Sequence, residues 1–251
     1  MQMHDWYKKM FEGKFGEFWL KQIEGWGETS ELQASFLREI LEKGLTLDHC
    51  CGPGRISVLL ADSMPVVGLD LSRFFLQAAK KKAKQAGREN FYLIRADMRH
   101  LPFKHGVFDN VMNLWTSFGY FSDEENRMVI REVSRVLQSG GTFVLDMFNP
   151  GWMVRNFRER DWDENGQYLT LEERSIHWKE KKLKTRWIII DKRNGEINEI
   201  TIDLKLYDLE ELKELLGEEK LETVKVYGSF KKEEFNEAKS NRIIIISRKQ
   251  Q

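Results

Sequence analysis

The chain has 251 residues, 41% of them hydrophobic and 32% charged, with forty Lys plus Arg balanced by forty Asp plus Glu. That size allows one ample domain with room for an insertion, and the composition is that of a soluble globular chain, which excludes a disordered one. Zero formal net charge leaves no global field to draw nucleic acid or an anionic membrane, and no apolar run approaches the ~18 residues of a membrane span.

The opening Met1-Gln2-Met3-His4-Asp5-Trp6 lacks the basic-then-apolar pattern of a signal peptide, so a cytoplasmic chain is expected. Trp6, Tyr7, Met10, Phe11, Phe15, Phe18 and Trp19 recur at roughly helical spacing, the pattern of an amphipathic helix with a packed apolar face. Thr29-Ser30-Glu31 precedes Leu32–Lys43, where the apolar spacing predicts a helix with Thr29 or Ser30 as N-cap. From there strands and helices alternate. The expected strands are Leu45–Leu47, Val66–Leu69, Phe91–Ala96, Phe108–Leu114 and Thr142–Asp146. The expected helices are Ser72–Ala86, ended by Gly87, and Ser122–Leu137, opened by the capping box of Ser122 and Glu125. Gly140-Gly141 is read as the turn into the fifth strand. Lys80-Lys81-Lys82-Ala83-Lys84 has no interleaved aromatics and reads as a solvated helix face.

After Pro150 the pattern changes to three extended stretches, Tyr168–His177, Leu183–Asp191 and Ile197–Leu206. Asn194-Gly195 predicts a type I′ hairpin between the last two. A helix through Leu209, Leu212, Leu215 and Leu216, ended by Gly217, and strands at Thr223–Tyr227 and Arg242–Ser247 complete the chain. The expectation is a Rossmann-like α/β fold with a seven-stranded mixed sheet, helices on both faces and an inserted antiparallel three-stranded sheet. The expected divisions are an N-terminal helical cap over 1–44, a core over 45–150, an insertion over 151–207 and completion of the core sheet over 208–251.

The chemistry concentrates at strand ends. Asp48-His49-Cys50-Cys51-Gly52-Pro53-Gly54-Arg55 follows the first strand, and Asp70 and Asp97 follow the next two. In an open α/β sheet, ligands bind beyond the carboxyl ends of the strands. Gly52 and Gly54 allow a tight turn and close approach of a ligand. Asp70 lies 22 residues after Asp48 (70 − 48), a spacing that sets a carboxylate beside a nucleoside ribose. A dinucleotide fingerprint would carry a third glycine where Ser57 stands, and Asp48 ahead of the glycines would repel a pyrophosphate. A nicotinamide oxidoreductase is therefore disfavoured. Cys50 and Cys51 are adjacent; neighbouring cysteines rarely reach disulfide geometry and two alone cannot build a zinc site, so they read as packed side chains and no metal is expected.

These residues resemble the class I S-adenosylmethionine-dependent methyltransferases. The resemblance runs through the Asp48–Arg55 loop, Val67-Gly68-Leu69-Asp70-Leu71-Ser72, Arg95-Ala96-Asp97-Met98-Arg99, Phe108-Asp109-Asn110-Val111 and Gly140-Gly141. It implies S-adenosylmethionine as cofactor and S-adenosylhomocysteine as product. Asp48 and the backbone of Cys50, Gly52 and Gly54 would then meet the amino-acid tail, and Asp70 the ribose diol. Asp97, the Met98 backbone and Leu71 would meet adenine. Asn113 would set its backbone carbonyl by the ammonium group, and Tyr7 would close on the methionine end if it is not simply core.

The stretch Trp115-Thr116-Ser117-Phe118-Gly119-Tyr120-Phe121 resembles a loop of small-molecule methyltransferases, implying an acceptor pocket of Trp115, Ser117, Tyr120 and Asn149 under a lid made by the insertion. Methyl transfer needs alignment more than a dedicated catalytic group; His177 and Tyr120 are the candidates should a proton have to leave the acceptor, with a surface role the alternative for His177. Residues 151–207 carry 12 Lys plus Arg against 11 Asp plus Glu, no basic stripe for an RNA substrate. An RNA methyltransferase and a non-catalytic binder of the same cofactor are the alternatives to an enzyme for a small molecule, acting as a monomer or homodimer.

Overall fold

Short strands with both faces covered make the central sheet, as their near-continuous apolar sequences require. A computed structural model describes residues 5–251; the first four residues of the opening segment, part of the expected cap, lie outside the described residues. The parallel strands are β1 (Thr46–His49), β2 (Val66–Asp70), β3 (Phe91–Arg95), β4 (Phe108–Asn113) and β5 (Leu137–Phe148). The C-terminal strands β10 (Leu221–Tyr227) and β11 (Arg242–Lys249) complete a seven-stranded sheet in the order β10-β11-β5-β4-β1-β2-β3. Strand β11 runs antiparallel to β5, with Ile244 opposite Asp146, which makes the sheet mixed. The chain winds outward from β1 to β3, then crosses back to β4 on the other side of β1. The switch point between β1 and β4 is where such sheets open a crevice.

Helices cover both faces. On one, α6 (Asp123–Val136) and α8 (Leu209–Glu218) pack Val129, Ile130, Val133, Leu212 and Leu216 against Val111, Phe143 and Ile245. On the other, α3 (Gly27–Ile40) and α4 (Ser57–Leu60) bury Phe36, Leu37 and Leu60 against Val66, Met112 and Ile244. Helix α5 (Arg73–Gln85) is capped by Ser72, whose Oγ accepts from Phe75 N at 3.0 Å. The expected capping box of Ser122 and Glu125 opens α6, and Asp208 with Glu211 makes a second at α8.

The inserted sheet has four strands, not three: β6 (Arg160–Asn165), β7 (Tyr168–His177), β8 (Lys182–Asp191) and β9 (Glu196–Lys205), paired antiparallel in that order. Strand β6 has Trp162 as its one large apolar residue, and that ring is exposed, so it carries no alternation to read. A short helix α7 (Pro150–Arg155) leads into it. The β8–β9 hairpin closes through four residues, 192–195, with Asp191 opposite Glu196. Only Gly195 is left-handed there, at φ 72°, so the turn is not the two-residue type I′ that Asn194-Gly195 suggested.

Other boundaries shift for similar local reasons. The opening segment folds as two helices, α1 (Trp6–Met10) and α2 (Gly13–Glu24), broken at Phe11-Glu12. Helix α3 starts earlier than expected: Trp26 is its N-cap, and Ser30 Oγ bonds back to the Trp26 carbonyl at 2.7 Å. Gly217 lies inside α8, and Gly140-Gly141 inside β5. The inner face of the inserted sheet packs on the first two helices, with Ile200, Ile202 and Trp187 against Trp6, Tyr7 and Met10, and Tyr168 and Ile189 against Phe18.

Candidate cofactor and acceptor site

Loops at the carboxyl ends of β1–β4, the helices α1 and α2 and the α3 N-cap Trp26 enclose a cavity of about 360 Å³. After β1 the backbone turns sharply, with Cys50 at φ 80° and Gly52 at φ 53°. Cys50 is a non-glycine in the left-handed region, a conformation that persists only where the surrounding structure over-determines it. Both Cys50 and Cys51 N–H groups donate to the Leu69 carbonyl at 2.9 Å, which supplies that constraint. A Cβ on Gly52 would come no nearer than 3.8 Å to Phe75, so the loop leaves room above Gly52. Gly54 differs: a Cβ there would stand 3.1 Å from Ala79 and 3.2 Å from the Phe91 ring. Its glycine serves helix-to-sheet packing, and it does not line the cavity.

Asp48, Asp70 and Asp97 all line the cavity. Asp70 accepts Gly52 N and Ser72 N, both at 2.8 Å, one on each oxygen. Burial pushes its carboxyl up to about 6 against the pull of those N–H groups. Asp48 is 4% exposed and takes the Ser57 hydroxyl; burial carries its carboxyl up to about 7, with Ser57 and nearby Arg55 opposing. Asp97 is held by Arg99 through Nη2 at 2.7 Å and Nε at 3.0 Å. Burial raises its carboxyl, but the Arg99 contacts outweigh that and hold it below the usual range. Arg99 also pairs with Glu125, stacks on Phe121 with its guanidinium carbon 4.4 Å from the ring centroid, and reaches the Tyr7 hydroxyl at 3.2 Å.

Of the other expected site residues, Tyr7, Cys50, Gly52, Leu71, Met98, Trp115, Ser117 and Tyr120 line the same cavity. Burial raises the Tyr120 phenol well above its ordinary value, so it stays protonated at neutral pH in the ligand-free protein.

Three further candidates lie elsewhere. Asn113, 1% exposed, donates Nδ2 to the His49 carbonyl at 3.2 Å, bracing β4 against β1 beneath the cavity. Asn149 caps α7 through Gly151 N and donates Nδ2 to the Glu237 and Ser240 carbonyls. His177 stands at the end of β7, about half exposed beside Ser175 and Glu180, and is not among the residues that line the cavity. His49 is fully buried, its Nε2–H donating to the Met98 carbonyl at 3.2 Å, and burial lowers it to about 4.

Sequence reasoning missed Ile23, Trp26, Phe11, Glu12, Arg55 and Phe121 among the lining. Trp115 and Thr116 both adopt left-handed backbone, at φ 63° and 58°, held because Asp146 Oδ2 accepts Trp115 N at 2.8 Å and the Asp146 carbonyl accepts Thr116 N at 3.0 Å. That turn swings the Trp115 indole onto Trp26, with ring centroids 4.2 Å apart.

Residues 46–141 match a methyltransferase domain family. The demethylmenaquinone methyltransferase of Lactococcus lactis is 34% identical over 102 residues, covering 39% of this chain and 39% of that protein. The malonyl-[acyl-carrier protein] O-methyltransferase of Legionella pneumophila is 34% identical over 137 residues, 51% of this chain and 43% of that protein. The matches thus span about two fifths of these relatives' own lengths. The CcbJ methyltransferase from Streptomyces caelestis superposes with a TM-score of 0.79 at 20% identity, over 88% of this chain and 90% of that one, so the fold extends well beyond the matched segment. Residues 46–141 thus carry the likeness to a methyltransferase domain family, within a fold shared with solved methyltransferase structures.

Proposed function

We propose that this protein transfers a methyl group from S-adenosylmethionine to a small-molecule acceptor. The observation that carries the reading is the convergence of Asp48, Asp70 and Asp97, from three neighbouring parallel strands, onto one cavity. The residues present fit that cofactor. Each Asp70 oxygen holds one backbone N–H and keeps lone pairs for a ribose diol, a charge-assisted geometry. Asp48 offers a buried carboxylate to an ammonium group, and the open side of Gly52 admits an amino-acid tail. Asp97 and the Met98 backbone offer polar edges to adenine, with Leu71 for its face.

The cofactor supplies a methyl group already activated by a sulfonium. The chain's own work is to hold the acceptor in line and keep water out, which is worth ~7–11 kcal/mol when reactants are well placed. In this reading Trp115, Ser117 and Tyr120 position the acceptor. Residues 1–44 cap the cofactor end, 45–150 bind it, 151–207 serve as lid and 208–251 complete the sheet. No described helix is long and apolar enough to cross a membrane; the proposal is for a cytoplasmic enzyme, monomeric or homodimeric. Titration calorimetry with S-adenosylmethionine, S-adenosylhomocysteine and NADH tests the reading: micromolar binding of the two sulfur ligands is expected, and binding of NADH alone overturns it.

A further inference from the structure

We propose that Arg55, held beside the paired indoles of Trp26 and Trp115, is the carboxylate-receiving group of this cavity. The inference builds on the methyltransferase reading and adds to it a charge requirement at the acceptor side of the site.

Arg55 is 8% exposed and lines the cavity. Its guanidinium carbon lies 5.6 Å from the Trp26 ring centroid and 5.7 Å from that of Trp115. Only Nη1 has protein acceptors among the described residues, the Ser30 hydroxyl at 3.2 Å and the Gln33 side-chain oxygen, and both are neutral. Nε and Nη2 have none. Among the described residues no carboxylate stands within ion-pair distance. The two nearest in electrostatic reach are Asp48 and Asp146. Asp48 is engaged by Ser57, and Asp146 is paired with Arg242 at 2.7 Å.

A buried cation without a direct counter-ion is costly, and two stacked indoles compensate only in part. Burial lowers Arg55 to about 10, which still leaves it charged at neutral pH. A planar fork with unused donors at the wall of a cavity matches a carboxylate, which it binds through two parallel hydrogen bonds. Strand order places the residue: Arg55 follows β1 and Trp115 follows β4, while Asp97 follows β3 at the sheet edge. The carboxylate therefore belongs on the switch-point side, away from the adenine end. Two molecules of the proposed reaction bring a carboxylate there, the cofactor through its amino-acid tail and an acceptor that is itself an acid.

The test is titration calorimetry of wild type, Arg55→Gln and Arg55→Lys with S-adenosylhomocysteine and with 5′-methylthioadenosine, the thioether nucleoside without the tail. Benzoate is then titrated into protein saturated with S-adenosylhomocysteine while tryptophan fluorescence reports on Trp26 and Trp115. If the tail supplies the carboxylate, Arg55→Gln weakens S-adenosylhomocysteine at least tenfold and leaves methylthioadenosine within twofold. Arg55→Lys, keeping the charge but not the fork, falls between. If the acceptor supplies it, S-adenosylhomocysteine binds all three proteins alike, and benzoate gives a saturable quench in wild type that Arg55→Gln lacks. The proposal is overturned if both ligands and the benzoate response are the same in wild type and Arg55→Gln. It is equally overturned if Arg55→Gln and Arg55→Lys lose both nucleosides together, which marks a role in the fold alone. Wild type that binds neither nucleoside sinks the cofactor reading instead, and benzoate titrated into the ligand-free protein, wild type against Arg55→Gln, then decides on Arg55 by itself.

Discussion

Around the cavity the seven-stranded sheet buries carboxylates in its interior, whereas the four-stranded insertion spreads its charges in ladders over an accessible face. Asp48 and Asp146 are 4% and 0% exposed. Across the insertion, Arg186 bonds Glu199 and Glu173 at 2.7 and 2.8 Å, with all three side chains more than two-fifths exposed. The residue types are the same, yet water screens the second set and is excluded from the first. Desolvation, rather than the count of ion pairs, therefore separates the carboxylates around the cavity from the charges of the insertion.

The contrast sets the order of expected effects. Removing one partner of the buried Asp146–Arg242 pair should cost most: Asp146→Ala leaves Arg242 uncompensated and frees the Trp115 turn, and we expect a loss of ~3–5 kcal/mol in denaturant unfolding. A loss as small as that of a surface pair would place this carboxylate on the wrong side of the comparison. Next comes Asp70→Ala, which should weaken S-adenosylhomocysteine by more than ~1.5 kcal/mol, about tenfold or more by calorimetry, since it deletes charged hydrogen bonds. Wild-type affinity in that variant would remove Asp70 from the cofactor site.

Protonation sharpens the same point. Asp48 and Asp70 titrate at about 7 and about 6 in the folded chain, above the ordinary carboxylate range of the unfolded chain. The folded state thus binds these protons more tightly, and their burial penalty is fully present above pH 7. As pH falls from 8 towards 5 the ligand-free protein should gain stability from this source, while cofactor affinity, which needs the ionised forms, should fall. Thermal melts of wild type and Asp48→Asn across that range test it: the variant should lose part of the slope, and an identical slope would refute the assignment. At the bottom of the scale, Arg186→Ala should leave the melting temperature unchanged, and a clear drop would show the insertion's ladder to be more than solvated charge.

How much of this was legible in the sequence follows from what each feature requires. Strands β1, β2 and β4 are buried on both faces, so a short apolar run ending in a polar residue announces them. The Ser122–Glu125 box is a local pattern and was equally readable. Strand β6 is held by backbone pairing to β7 and has no inward apolar set, so nothing in Arg160–Asn165 announces it. Asp48 and Asp70 were accessible because their spacing from the glycine loop is a chain-local quantity. The roles of Asn113 and Asn149 were not, since an asparagine at a strand end suits a ligand, a brace or a cap, and only the positions of His49, Glu237 and Ser240 decide. Arg55 and Trp26 depend on residues 26, 55 and 115 meeting in space, and no periodicity encodes that.

The chain has two cysteines, Cys50 and Cys51, and both are free thiols in the turn beneath the cavity. Burial and the neighbouring carboxylates lift both thiols well above their ordinary value, which suppresses the thiolate that alkylating reagents attack. Labelling of Cys51, the buried one of the two, by a thiol-specific dye then becomes a clock on the β1 turn, with Cys50 at the cavity wall reporting instead on access to the cavity.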